Sequence, residues 1–75
     1  MRGALHTVRY RRFRARLKAA RNDAGLTQVE AARRLRKPQS FVSKSEAGER
    51  RVDAIELEDF AKLYGKPLLY FYAKK

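Results

Sequence analysis

Two four-residue signatures constrain this chain more than any other feature. Thr27-Gln28-Val29-Glu30 and Asp53-Ala54-Ile55-Glu56 each pair a short capping side chain with a glutamate three residues on. In such a box the cap oxygen accepts an N–H of the first turn, while the carboxylate reaches back to the cap's own N–H. The boxes predict helices over residues 28–35 and 54–64, and Gly25, Gly48 and Gly65 stand where helices would stop. A chain punctuated this often has no room for long helices and must assemble short ones.

The remaining elements follow from spacing. Tyr10, Phe13, Leu17, Ala20 and Ala24 fall in steps of three or four, marking one face of a first helix over about 10–24. Arginines 9, 11, 12, 14, 16 and 21 and Lys18 take up most of its remaining surface. In the second helix Ala31, Ala32 and Leu35 face inward, and the alanine pair favours a close helix–helix approach. Pro38 suits the start of a third helix, over about 39–47, whose main buried side chain is Val42. In the fourth, Ile55 or Ala54, Leu57, Phe60, Ala61 and Tyr64 are candidates for burial. The segment 68–72, Leu-Leu-Tyr-Phe-Tyr, is either helix or strand. Its aromatic run has high β propensity, whereas Pro67 at a first helical position favours a helix over 67–72. Leu68 and Phe71 should complete the core. Residues 1–9 read as a flexible basic arm and 10–75 as one domain. The expected fold class is all-α, a compact bundle of about five short helices.

Composition narrows the function. Seventy-five residues hold one core and no second lobe. Cysteine is absent, which excludes disulfides and thiolate metal sites, and His6 is the only histidine and reads as a solvated tail residue. No cofactor or metal is expected. The longest apolar run, Leu68 to Ala73, is too short to span a bilayer, and no apolar segment backs the N-terminal arginines as in a secretion signal. A cytoplasmic protein is expected. Nothing resembles a catalytic constellation, so no enzyme is expected. Five short helices also suggest no small-molecule pocket of a few hundred Å³.

The formal charge of +11 is unevenly spread. Through Ser45 there are thirteen Lys/Arg against two acids, and from Glu46 onward six of each. A one-sided positive field attracts a polyanion, with binding that weakens steeply in salt. The third helix opens with Gln39 and Ser40 and carries Lys44 beside them, a set suited to hydrogen-bonding base edges in a major groove. Gln offers donor and acceptor together and can pair bidentately with adenine. Lys37, Lys44, Arg50 and Arg51 suit phosphate contacts. Phe41 reads either as core or as a contact with a thymine methyl or sugar. Arg2, Arg9, Arg12 and Arg16 read either as a second clamp on DNA or as a solvated face.

The chain resembles the Cro/repressor-type, or Xre-like, helix-turn-helix family over about residues 17–71. The resemblance is carried by Arg21, Gly25-Leu26-Thr27-Gln28, Ala32, Leu35, Gln39-Ser40, Val42-Ser43-Lys44, Glu46, Gly48-Glu49-Arg50, Leu57, Ala61 and Gly65, in that order and spacing. It implies a phage-repressor-like bundle with a central helix-turn-helix, commonly dimeric. It implies base-reading at Gln39, Ser40, Ser43 and Lys44. Gln28, with Thr27 beside it, would touch phosphate and brace the recognition helix, and Arg21 and Glu46 would form an internal salt bridge. Three positions depart from the family pattern: Ser45 replaces a large apolar residue, Ala31 replaces Leu, and Arg36 stands where Gly often ends the second helix. The first two thin the core beneath the third helix. Arg36 either strains the corner or changes its turn.

The expected function is a sequence-specific double-stranded-DNA-binding transcriptional regulator, a repressor on an inverted-repeat operator. Leu69, Tyr70 and Tyr72 carry apolar surface suited to a homodimer contact, or to packing within the domain. The competing reading is a regulator whose main role is binding a protein, as an antitoxin or a protease target. Less favoured is non-specific nucleic-acid binding.

Overall fold

The computed structural model describes residues 7–72. Four α-helices, α1 (Val8–Asp23), α2 (Gln28–Leu35), α3 (Gln39–Ala47) and α4 (Ala54–Tyr64), are followed by a 3₁₀ helix, Leu68–Tyr72. There is no strand among the described residues.

Both capping boxes form. Glu30 N–H donates to Thr27 Oγ1 at 3.1 Å while Thr27 N–H donates to Glu30 Oε1 at 2.9 Å. Glu56 and Asp53 repeat the exchange at 2.8 and 3.1 Å. The start of α1 differs from expectation. Thr7 Oγ1 accepts the Tyr10 N–H at 3.1 Å and caps the helix, so residues 8 and 9 belong to α1 rather than to an arm. The apolar stripe begins only at Tyr10 and could not mark that cap. The rest of the expected arm lies outside the described residues.

The core is built where the helices cross. Leu17 and Ala20 from α1, Ala31 and Ala32 from α2 and Val42 from α3 close over Leu57, Phe60, Ala61 and Tyr64 from α4. Phe60 is fully buried, which stabilises the fold by about 1.5–3 kcal/mol relative to an exposed ring. Ile55 and Ala54 are both exposed, contrary to expectation, because Leu57, Phe60, Ala61 and Tyr64 already define the inward stripe and residue 55 lies across the helix from Leu57. Leu68 is likewise outside, 43% exposed, as it directly follows the Lys66-Pro67 turn at the rim. Phe71, one 3₁₀ turn on, reaches in to Phe13 with 6.4 Å between ring centroids.

Two left-handed turns bracket α3. Arg36 (φ 59°, ψ 43°) ends α2 and is the one non-glycine with positive φ among the described residues, so the Arg at this corner keeps the glycine-type turn at a cost in strain. Gly48 (φ 79°) ends α3, and its N–H donates to the Lys44 carbonyl.

The expectation of no sizeable hollow fails. A groove of about 890 Å³ runs along α1, lined among others by Arg9, Tyr10, Phe13, Val52, Leu57 and Phe71. Among the described residues, the five of the closing 3₁₀ helix do not cover this side of α1. None of the lining residues belongs to α2 or α3.

Candidate nucleic-acid interface

The first turn of α3 stands open to solvent. Gln39 and Ser40 are exposed, as are Lys37 before them and Lys44 one turn on. Pro38 precedes the helix with no side-chain cap, and the Phe41 N–H donates to the Pro38 carbonyl at 3.0 Å, which leaves the Gln39 and Ser40 amides for an outside acceptor. Ser43 is half-buried and its hydroxyl donates to the Ser40 carbonyl at 3.4 Å. Arg51 is exposed in the loop after α3. Thr27 is exposed too, but its hydroxyl is engaged in capping α2.

Beneath this face lies a polar hub on Glu46. Arg21 Nε donates to Glu46 Oε2 at 2.7 Å and Arg21 Nη2 to Glu46 Oε1 at 3.0 Å, a bidentate pair with side chains only 9% and 5% exposed. Donating to the Glu46 carboxylate raises the Arg21 pKa, outweighing burial, which lowers it. Arg21 Nη1 also donates to the Leu26 carbonyl at 2.9 Å. Gln28 Nε2 donates to Glu46 Oε1 at 3.0 Å. One donor of the Gln28 amide is thus used to tie α2 to α3. Tyr64 Oη is buried nearby without a partner among the described residues, and desolvation pushes its pKa up.

A second network occupies the other flank of α3. Ser45 is fully buried and donates to the Phe41 carbonyl at 2.6 Å. Arg50, expected on phosphate, has its guanidinium turned onto the protein. It donates to both carboxylate oxygens of Glu56 at 3.0 and 2.8 Å and to Ser45 Oγ at 3.3 Å. The same guanidinium lies 4.4 Å from the centroid of Phe41, which stacks at 5.6 Å on Phe60. Phe41 is therefore half-buried against the core, with Lys37 Nζ 5.3 Å from its centroid.

Arg14 was not singled out by the sequence. It is half-buried, and its Nη1 donates to the Glu46 carbonyl at 3.3 Å. The signal was present in the helical register: Arg14 lies three residues before Leu17 and seven before Arg21, on the same face. Tyr10 belongs to the apolar stripe of α1, yet its hydroxyl accepts the Val52 N–H at 3.1 Å and ties the loop after α3 to α1.

The aromatic tail divides. Leu69 and Tyr72 are 78% and 62% exposed, whereas Tyr70 is half-buried between Arg16 and Lys66, whose charges lie 5.0 and 4.7 Å from its centroid. Tyr70 is a partly covered member of the expected dimer surface.

An open first turn on a short helix, braced from behind by the helix before it, is the arrangement of a DNA-reading helix pair. A family profile described as "Helix-turn-helix domain" matches residues 12–68. A solved structure titled "XRE-family like protein from Pseudomonas syringae pv. tomato str. DC3000" shares 44% identity with a TM-score of 0.71, covering 92% of this chain and 88% of that one. The chain belongs to the Xre-like helix-turn-helix family. As a member of that family it is a DNA-binding regulator. No curated protein matches the chain. Among the described residues no helix is long and apolar enough to cross a membrane.

Proposed function

We propose that this Xre-like protein is a sequence-specific transcriptional repressor that reads an inverted-repeat operator through α3. The observation that carries the reading is the exposed Gln39-Ser40 turn, with no side-chain cap of its own, mounted on a helix whose far end is fixed to α1 and α2. Gln39 and Ser40 meet base edges, with Ser43 alongside and Lys44 reaching from there to phosphate, while Lys37 and Arg51 meet phosphate. The second amide hydrogen of Gln28 and the hydroxyl proton of Thr27, neither used by the Glu46 contact or the cap, reach the backbone from the start of α2. Operator occupancy excludes the polymerase. The proposed location is the cytoplasm, where operator DNA is found.

The protein works as a homodimer. Exposed Leu69 and Tyr72 supply apolar surface next to partly covered Tyr70, and a two-fold pair would set recognition helices about 34 Å apart, one turn of B-DNA. The same surface is what a toxin or regulatory protease would grip, the second reading. Selection of bound sites from a random duplex library tests the proposal. A palindromic preferred site is expected, and no preferred site at all would refute it. Gln39→Ala should then cost about 1–3 kcal/mol on the preferred site and relax one base position, with little effect on random duplex.

A further inference from the structure

We infer that Arg14 and Arg50 are positioning residues for DNA reading, guanidinium struts that set the pose of α3 from behind and make no phosphate contact. The inference rests on the DNA-reading role proposed for α3.

The strongest observation is convergence. Guanidinium groups from α1 and from the loop after α3 meet on two consecutive residues, Ser45 and Glu46. Arg14 holds the Glu46 carbonyl, Arg21 holds the Glu46 carboxylate, and Arg50 holds Ser45 Oγ. A cation at a helix C-terminus is favoured by the carbonyls left open there. Arg14 supplies one, and the fold makes space for it: a Cβ on Gly48 would lie 2.9 Å from three atoms of the Arg14 guanidinium. Gly48 is required for its positive φ, and its missing Cβ leaves the space in which the Arg14 guanidinium lies.

Arg50 answers the other peculiarity, the small hydroxyl side chain of Ser45 buried under the recognition helix. Its guanidinium satisfies Ser45, covers Phe41 and anchors to Glu56, which also caps α4. The planar fork suits this task, since two parallel bonds to one carboxylate fix direction as well as distance. A side chain so engaged is turned away from a phosphate.

The geometry gives these struts leverage. Gln39 lies six residues from Ser45, about 9 Å along the axis. A tilt of about 10° at residues 45–46 would move Gln39 by roughly 1.5 Å, well beyond the few tenths of an ångström that a base-edge hydrogen bond tolerates. Loosening a strut therefore degrades discrimination more than overall attraction.

The test is a salt titration of the full-length protein, by fluorescence anisotropy, on its preferred duplex and on a random duplex. Arg14→Met and Arg50→Met are compared with Lys44→Ala, at a temperature where circular dichroism shows each variant folded. For both Met variants we expect about tenfold weaker binding to the preferred duplex, less than about twofold on random duplex, and an unchanged salt slope, because no phosphate contact is lost. Lys44→Ala should weaken both duplexes and lower the slope by about 0.9. Arg50→Lys covers the case of an Arg50→Met that does not fold. A phosphate contact would survive in it, whereas a strut would not, so retained discrimination in Arg50→Lys overturns the inference. A slope lowered by about 0.9 in either Met variant also overturns it. A wild-type protein that holds preferred and random duplex equally overturns the DNA-reading role itself, which the same titration reports separately.

Discussion

The two ends of α3 are held in opposite ways. Its first turn follows a strained arginine and a proline, carries no side-chain cap and faces solvent. Its last turn is fastened by three arginines and closed by a glycine into whose space one of them packs. Both flanking turns are left-handed, yet they differ in what they tolerate. Around Arg36 the side chain points to water and the conformation alone carries a penalty. At Gly48 a neighbouring guanidinium adds a packing constraint to the backbone one. A helix with the reading role proposed for α3 would be free at the end that meets DNA and fixed at the other.

Removing the fixed end should have the largest effect. Glu46→Ala leaves the Arg21 guanidinium buried without its partner, and urea unfolding should show a loss of about 3–5 kcal/mol. A loss under about 1 kcal/mol would mean that the hub does not hold α3. Gly48→Ala comes next. It strains a positive φ, for an expected loss of about 1–2 kcal/mol, and moves the Arg14 guanidinium, whose flexible side chain can shift. The free end should respond in the opposite direction. Arg36→Gly relieves the strain before α3 and should raise stability by about 0.5–1 kcal/mol, after the extra entropy of unfolded glycine is taken into account. Destabilisation there would show that the Arg36 side chain holds something at the corner.

The smallest expected effect is a pH dependence. The hydrogen bonds from Arg50 hold the Glu56 carboxyl below its ordinary value of 4.5, against an opposing push from burial. A carboxylate depressed in the folded state contributes stability that is fully present above about pH 4.5 and lost as the pH falls through the lower folded value. Glu56→Gln should therefore flatten the acid limb of the stability curve and leave its slope near neutrality unchanged. An acid limb identical to wild type would sever Glu56 from the network around Ser45.

What the sequence showed follows the range of the forces involved. The boxes at Thr27–Glu30 and Asp53–Glu56 were legible because each is closed within four residues, and the limits of α2 and α4 follow from them. Leu17, Ala31, Ala32, Val42 and Phe60 were legible from the helical pattern, whereas of the pair Leu68 and Phe71 only Phe71 is buried. Thr7 was missed because its cap lies ahead of the apolar stripe. Ile55 was a candidate for burial because hydrophobicity alone does not say which stripe of α4 the rest of the molecule uses. Arg50 looked like a phosphate ligand because its partners, Ser45 and Glu56, are brought to it only by tertiary packing. Arg14 was hidden among neighbouring arginines for the same reason. The departure at Ser45 was visible, but the arginine that compensates for it was not.

The single carboxylate of Glu46, shared by Arg21 from α1 and Gln28 from α2, makes the α2–α3 pair something other than a portable module. A peptide cut to those two helices would keep every side chain proposed to meet base edges and lose Arg21, the cation that balances the acid behind them. Grafting them elsewhere would require carrying along the matching stretch of α1.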